Sequence, residues 1–186
     1  MAYPVRITAI ATIIFCICGS AGAEIEAAKW THFTIANPLP GSAWGTGGIP
    51  LADFDGDGDP DISLSRRETK AAYWFQRMND STWIRHTIAT GDVFNDQLGA
   101  TAVDCDLDGL VDVVYSFAWF KNPGNLAEKP DTSWETHKYP GNGHDIISGD
   151  VNGDGHLDVL AYDGKTVCIL PIVPCCRDNS SRILKS

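Results

Sequence analysis

An acidic nine-residue segment occurs three times in the chain, and this repeat limits the possible folds more than any other feature. The three copies lie at residues 53–61, 104–112 and 150–158, and they share the pattern D-x-[DN]-x-D-G-x-x-D. Their first residues are 51 and 46 positions apart. Regular spacing of this size is typical of repeat architectures in which each unit is one small supersecondary structure.

The alternate positions of each segment carry oxygen ligands. Calcium is bound in proteins by six to eight oxygens at about 2.3–2.6 Å, and alternate side chains of a tight loop converge on one point. The glycine at the sixth position (Gly58, Gly109 or Gly155) suits a sharp turn that a side chain would obstruct. The sequence therefore predicts up to three structural Ca²⁺ ions, with position 7 ligating through its carbonyl. The candidate ligands are Asp53, Asp55, Asp57, Asp59 and Asp61 in the first loop, Asp104, Asp106, Asp108, Leu110 and Asp112 in the second, and Asp150, Asn152, Asp154, His156 and Asp158 in the third.

The residues after each loop argue against an EF-hand. An EF-hand would place a bidentate Glu at position 12, whereas Leu64, Tyr115 and Ala161 stand there. Short β-branched or aromatic runs follow the loops, and such runs beside Gly-rich turns predict strands. A plain polar hairpin turn is the alternative interpretation, because Asp and Gly favour turns in any case. Five carboxylates within residues 53–61 would repel one another without a counterion, however, so we expect the ion to hold a strand–loop–strand hairpin.

More of each unit repeats than the acidic loop. Tyr-Trp-Phe-Gln at residues 73–76 corresponds to Ala-Trp-Phe-Lys-Asn-Pro-Gly at residues 118–124, and a Trp-x-x-His segment occurs at residues 83–88 and again at 134–139. Residues 30–35 look like the same strand of a preceding unit. We expect the recurring tryptophans to fill the space between units, because large rings bury much area. His86 and His137 are repeat-equivalent and are expected to pack against the strands.

The loops, the Trp-Phe-Lys-Asn-Pro-Gly motif and the Trp-x-x-His strand together resemble the FG-GAP/VCBS repeat family over roughly residues 28–163. The resemblance implies an all-β fold, namely a partial β-propeller of about three four-stranded antiparallel blades with an integrin-like calcium loop in each. It also implies an extracellular or cell-surface setting. It does not imply one activity, because such blades occur in adhesion proteins, enzyme accessory domains and some polysaccharide lyases.

Residues 1–23 have the pattern of a cleaved secretory signal, with one charge at Arg6, an apolar run at 7–18 and small residues at 19–23. The apolar run is too short to span a bilayer as a helix, so no transmembrane span is expected after cleavage. A lipid anchor on Cys16 or Cys18 is the alternative. The predicted location is secreted, periplasmic or cell surface. The four remaining cysteines form no recognisable disulfide framework.

The repeat pattern does not continue to the end of the chain. Residues 24–163 are predicted to form the repeats, whereas residues 164–186 form a divergent tail that contains three Cys, two Pro and no Trp. A frameshift or disorder would explain such a tail. Closed propellers typically have four to eight blades, so about three units predict a truncated propeller. A ring assembled from several chains is the alternative.

Charge and motifs restrict the function. The chain has 14 Lys and Arg against 24 Asp and Glu, a formal charge of −10. This balance excludes a nucleic-acid partner, which needs clustered basic residues. The sequence contains no Gly-x-Ser-x-Gly or His-Glu-x-x-His motif, and His144 with Asp145 is the one acid–base pair to test.

We therefore expect a non-catalytic, calcium-dependent binding or adhesion module with an extracellular protein or polysaccharide ligand. One alternative is a fragment of a propeller-type carbohydrate-active enzyme such as a polysaccharide lyase. The other is a truncated gene product without a stable function.

Overall fold

The computed structural model describes residues 31–41, 45–94, 98–116, 118–139, 143–162 and 164–172. The predicted signal segment, residues 1–23, lies outside the described residues. The chain divides into two units, residues 1–32 and 33–186. Of the first unit only residues 31 and 32 are described, and both are exposed and outside any strand. All the following observations concern the second unit.

Eleven strands in the described residues form three antiparallel sheets. The first sheet contains β1 (Leu51–Ala52), β2 (Asp61–Arg66), β3 (Ala71–Asn79) and β4 (Thr82–Thr90). The second contains β5 (Ala100–Val103), β6 (Asp112–Tyr115), β7 (Ala118–Lys121) and β8 (Glu135–Lys138). The third contains β9 (Asp145–Gly149), β10 (Asp158–Tyr162) and β11 (Val167–Leu170). A 3-10 helix, Asp92–Phe94, is the only helix described, and no described helix has the length and apolarity needed to cross a membrane.

The predicted all-β fold of about three antiparallel blades is confirmed, since each sheet is an antiparallel meander and none closes into a barrel. The third sheet has three strands in the described residues, where the repeat pattern predicts four. β11 pairs with β10, and Ile172 after it is buried. The third sheet therefore extends past residue 163, where the repeats were predicted to end. The β-branched residues of β11 form a strand although it lacks the tryptophan that marks the other units.

Two apolar clusters join the three sheets. The first lies between the first and second sheets, and its largest fully buried members are Trp74, Ile88, Phe94, Val113, Tyr115, Phe120 and Leu126. The second lies between the second and third sheets and contains Val103, Val114, Ile146, Val159 and Ala161. Trp74 is completely buried and Trp134 is 4% exposed, and Trp119 packs against the second cluster, so these three rings fill the space between units as predicted. Trp83 instead packs on the opposite face of the first sheet, away from the second sheet.

A third cluster covers the other face of the first sheet. Leu64, Tyr73 and Phe75 of that sheet pack against Ile35 and Leu39, which precede the first strand. Residues 31–35, compared above with a strand of a preceding unit, contain no strand in the structure. Ile35, Ala36 and Leu39 instead cover the outer face of the first sheet.

The histidines of the two Trp-x-x-His segments stack on tryptophan rings. His86 in β4 lies opposite Trp74 in β3, and the ring centroids are 4.8 Å apart. His137 in β8 lies opposite Trp119 in β7, with centroids 4.1 Å apart and planes 13° apart. His86 Nδ1 is also 2.8 Å from a carboxylate oxygen of Asp131. The prediction that these histidines pack against strands is confirmed.

Candidate metal centre

Each acidic loop connects the first and second described strands of its own sheet, as the hairpin prediction requires. Two positions of every loop have left-handed backbone, which an L side chain rarely adopts. The sixth position was predicted, and φ there is 93°, 88° and 88° at Gly58, Gly109 and Gly155. The fourth position was missed, although two of the three copies carry glycine there: φ is 77°, 60° and 77° at Gly56, Leu107 and Gly153.

The first aspartate of each loop organises the backbone of that loop. Asp53 accepts hydrogen bonds from the N–H groups of Gly56 and Asp57 on one oxygen, at 2.8 and 3.1 Å, and from Gly58 on the other, at 2.9 Å. The same pattern recurs from Gly153, Asp154 and Gly155 to Asp150, and from Asp108 and Gly109 to Asp104. The loop shape is thus fixed locally, by a side chain that also faces the other carboxylates.

Carboxylate oxygens converge in the first two loops. One oxygen from each of Asp53, Asp55 and Asp61 lies within 4.8 Å of the others, and the same holds for Asp104, Asp106 and Asp108. At about 4 Å, two carboxylates repel by roughly 1 kcal/mol in water and by about 4 kcal/mol at a protein surface. A bound cation would remove this repulsion. These two clusters can hold a metal ion, and their all-oxygen donor set fits a hard divalent cation.

The third loop has the same local geometry with less charge. Asn152 Oδ1 accepts a hydrogen bond from the Asp154 N–H at 2.8 Å, as Asp55 Oδ1 does from Asp57 at 3.2 Å. Because Asn152 replaces an aspartate, residues 150–158 contain no group of three carboxylates like those of the other loops. An amide oxygen is also a calcium ligand, so this loop offers a similar but less negative donor set.

The aspartate at the ninth position holds each loop to its sheet. Asp61, Asp112 and Asp158 are completely buried. Asp112 Oδ2 accepts a hydrogen bond from the Cys105 N–H at 2.9 Å, and its Oδ1 accepts one from the Asn122 N–H at 2.8 Å. Equivalent bonds reach Asp61 from Phe54 and Arg77, and Asp158 from Val151 and Ile172. Each ninth aspartate therefore ties the start of its loop to the end of the third strand of its sheet.

Burial raises the pKa of two of these aspartates, Asp61 and Asp112. Loss of solvent raises the pKa of Asp61 to about 6, against the opposing effect of its backbone hydrogen bonds. The pKa of Asp112 is raised to about 6 for the same reason, and the nearby Asp106 and Asp108 contribute to the shift. A cation bound in the loop would favour the ionised form of both side chains.

A neighbouring strand supplies a positive charge to the second loop. Lys121 Nζ donates hydrogen bonds to Asp106 and, at 2.6 Å, to Asp108. These bonds raise the pKa of Lys121, and Lys121 in turn lowers the pKa of Asp108. The strand register shows which residues of the other sheets correspond to Lys121. In the first sheet it is Gln76, whose Nε2 donates a hydrogen bond to Asp55 at 2.6 Å. In the third sheet it is Pro171, which has no side-chain donor. The ammonium of Lys121 thus contacts two of the three carboxylates that converge in this loop.

Sequence reasoning did not assign roles to Lys121 or to Asn122, although both lie in the Trp-Phe-Lys-Asn-Pro-Gly motif. Asn122 is buried, and its Nδ2 donates to the Phe54 carbonyl at 2.8 Å. Its Oδ1 accepts from the Gly124 N–H at 2.9 Å. Because Phe54 belongs to the first loop, Asn122 links that loop to the second sheet. Neither residue recurs at the equivalent place of the first unit, where Gln76 and Arg77 stand, so the repeat gave no signal for their roles.

The acid–base pair selected from the sequence is a surface feature. His144 Nδ1 lies 3.2 Å from an oxygen of Asp145, and the two side chains are 59% and 71% exposed. The pair is therefore open to solvent on strand β9 and its approach.

Neither the comparison with protein-family models nor that with curated proteins gave a match. The resemblance to FG-GAP/VCBS repeats is carried by the loop and strand motifs, and it stays a prediction.

Proposed function

We propose that the chain is an exported calcium-binding repeat module whose ions stabilise its sheets, and that it binds an extracellular protein or polysaccharide without catalysis. The observation that carries this proposal is the convergence of three carboxylates in the acidic loop of each of the first two repeats. The pattern of residues 1–23 supports export.

The donor chemistry favours calcium over other common metals. Zinc sites in proteins are built mainly from Cys sulfur and His nitrogen, and the converging atoms here are carboxylate oxygens. Magnesium requires near-ideal octahedral geometry and retains several waters, whereas calcium accepts six to eight oxygens with flexible geometry. The first loop would hold the ion through Asp53, Asp55, Asp57 and Asp61 and the carbonyl of Asp59. The second would use the equivalent residues.

The position of the loops supports a structural role for the ion. Each loop joins two adjacent strands, and its ninth aspartate reaches the third strand. An ion held there would fix the same end of three strands. The bound ions would also offset part of the net charge of −10, which otherwise opposes close approach of acidic ligands.

Calcium binding is tested by isothermal titration of Ca²⁺ into the metal-free chain. We expect one ion in each of the first two loops and a weaker third ion. Asp53→Ala and Asp104→Ala should each remove one ion, because each variant loses the aspartate that both organises its loop and faces the cluster. Asp145→Ala is the matched control, since Asp145 is an exposed aspartate outside the loops. A count of bound ions that Asp104→Ala leaves unchanged would contradict the proposal.

The non-catalytic role has a separate test. Calcium-dependent retention of the chain on immobilised extracellular polysaccharides or matrix proteins, without release of shorter or unsaturated sugars, is the expected result. Calcium-independent cleavage of a polysaccharide would instead indicate an enzyme.

Lys121 is expected to weaken metal binding in the second loop. In Lys121→Met, Asp106 and Asp108 no longer share their oxygens with the ammonium, so calcium affinity of this loop should rise about tenfold, or about 1.4 kcal/mol. The control is Lys138→Met, which removes the same charge from an exposed position of the same sheet. Titration calorimetry of both variants measures the difference. Weaker binding in Lys121→Met than in the control would show that the ammonium assists the site.

A further inference from the structure

A cavity of about 220 Å³ lies between the second and third sheets. Its wall is mostly apolar, and it is partly open to solvent. Both sheets contribute side chains to the wall, among them Cys105, Trp119 and Tyr139 from the second repeat and Val159, Leu170 and Ile172 from the third. We call this space the inter-sheet cavity.

The repeat shows which residues occupy the equivalent space between the first and second sheets. Phe54 and Cys105 both stand at the second position of their acidic loops. Trp74 and Trp119 correspond by strand register, because each pairs with the residue two positions after the ninth aspartate of its loop. The two spaces can therefore be compared residue by residue.

Aromatic rings fill the equivalent space between the first and second sheets. The Phe54 ring meets the Trp74 ring edge to face, with centroids 6.4 Å apart, and it meets the Trp134 ring in the same way at 5.8 Å. All three side chains are at most 4% exposed. The packing in this interface is thus a phenyl ring set at an angle to a tryptophan.

The described residues do not supply the corresponding rings beside Trp119. Cys105 stands where the first loop has Phe54. The third sheet has no fourth strand within the described residues, and so no counterpart there of Trp134, which directly precedes β8. Residues 173–186 contain no Phe, Tyr or Trp that could take its place. Trp119 therefore keeps the position of Trp74 and borders a cavity at the place where Trp74 has a phenyl ring.

We propose that the inter-sheet cavity binds a small aromatic molecule, whose ring packs on Trp119 as the Phe54 ring packs on Trp74. An apolar cavity of roughly 150 Å³ is large enough to bind benzene, so the inter-sheet cavity has room for one ring with a small substituent. Angled contact between aromatic rings contributes more than the area that it buries. The cavity should therefore prefer an aromatic ligand to an aliphatic one of the same size. The proposal does not depend on calcium binding.

Titration of phenol into the chain, followed by the NMR signal of the Trp119 indole N–H, tests the proposal. We expect a dissociation constant on the order of 1 mM, because a ligand of so few atoms gains little binding free energy. Cyclohexanol is the matched ligand, since it has a six-membered ring and a hydroxyl group but no aromatic character. It should bind about fivefold more weakly than phenol.

Two variants at one position distinguish the space from the thiol. Cys105→Phe introduces the side chain that the first loop carries, and it should weaken phenol binding at least about tenfold because its own ring occupies the cavity. Cys105→Ala removes the same thiol without adding a ring, and it should bind phenol as the unchanged chain does. Circular dichroism confirms that both variants keep their strand content.

Three results would overturn the proposal. A Trp119 signal that phenol does not shift would show that the chain's own residues fill the cavity. Equal binding of phenol and cyclohexanol would show that the cavity does not select an aromatic ring. Equal binding of phenol to Cys105→Phe and Cys105→Ala would place the ligand outside the cavity.

Discussion

Saturating calcium is expected to raise the free energy of unfolding of the metal-free chain by about 5–8 kcal/mol. An ion that binds only the folded state adds about 2.7 kcal/mol per site at 100 times its dissociation constant, and two or three loops contribute. The physical source is the relief of repulsion among carboxylates that lie within 4.8 Å of one another. Urea denaturation, followed by circular dichroism with and without excess EDTA, measures the difference.

A double variant distinguishes stabilisation by calcium bound in the loops from the general effect of a divalent salt. Asp53→Ala combined with Asp104→Ala should lose most of the calcium effect, because only the weaker third loop keeps its first aspartate. Magnesium at the same ionic strength should give a smaller increase, since it dehydrates reluctantly and is seldom held by a site made only of protein oxygens. Equal stabilisation by both ions, or none by either, would be incompatible with calcium loops.

Replacing Asp112 should destabilise the chain strongly even without metal. Asp112→Ala leaves the buried N–H of Asn122 and the partly buried N–H of Cys105 without an acceptor, and an unpaired buried group costs about 1–3 kcal/mol. Relief of repulsion from Asp106 and Asp108 offsets part of this loss. We expect a net loss of about 3 kcal/mol of unfolding free energy, measured by urea denaturation in EDTA.

Two further variants locate the cause of that loss. Asp112→Asn keeps one acceptor oxygen and should cost about half as much as Asp112→Ala. Asp106→Ala removes a partly exposed aspartate of the same loop and should cost less than about 1 kcal/mol. If Asp106→Ala and Asp112→Ala had equal effects, the ninth aspartate would not be the link between loop and sheet.

The hairpin loops and their strands could be predicted from the sequence because their signals are local. The spacing of Asp and Gly within nine residues predicted each loop. The β-branched residues that follow predicted the strands β2, β6 and β10. The packing of His86 and His137 against their strands was also predictable, since both residues recur at equal places in two units. The end of the third sheet was misplaced because β11 has no tryptophan, and a strand of four residues needs only a pairing partner.

The roles of Lys121, Asn122 and the ninth aspartates could not be predicted, because they depend on contacts between distant parts of the chain. Lys121 in β7 reaches Asp106 in the loop before β6, 15 positions away, and Asn122 reaches Phe54 in the first loop, 68 positions away. Asp112 was predicted as a ligand from its place in the repeat. Its complete burial follows from packing against neighbouring strands, which a repeat pattern does not encode.

The stacking of the sheets has a consequence for how the chain loses its structure. Each sheet is made of consecutive strands, and its main contacts with another sheet are with the next one along the chain. In such a stack each sheet is stabilised mainly by the interface with its neighbour. Local unfolding of the sheet at one end therefore need not unfold the sheet at the other end. Within the described residues, apolar clusters lie on both faces of the first sheet and on one face of the third. We therefore expect local opening to begin at the third sheet and the interface around Trp74 and Tyr115 to separate last.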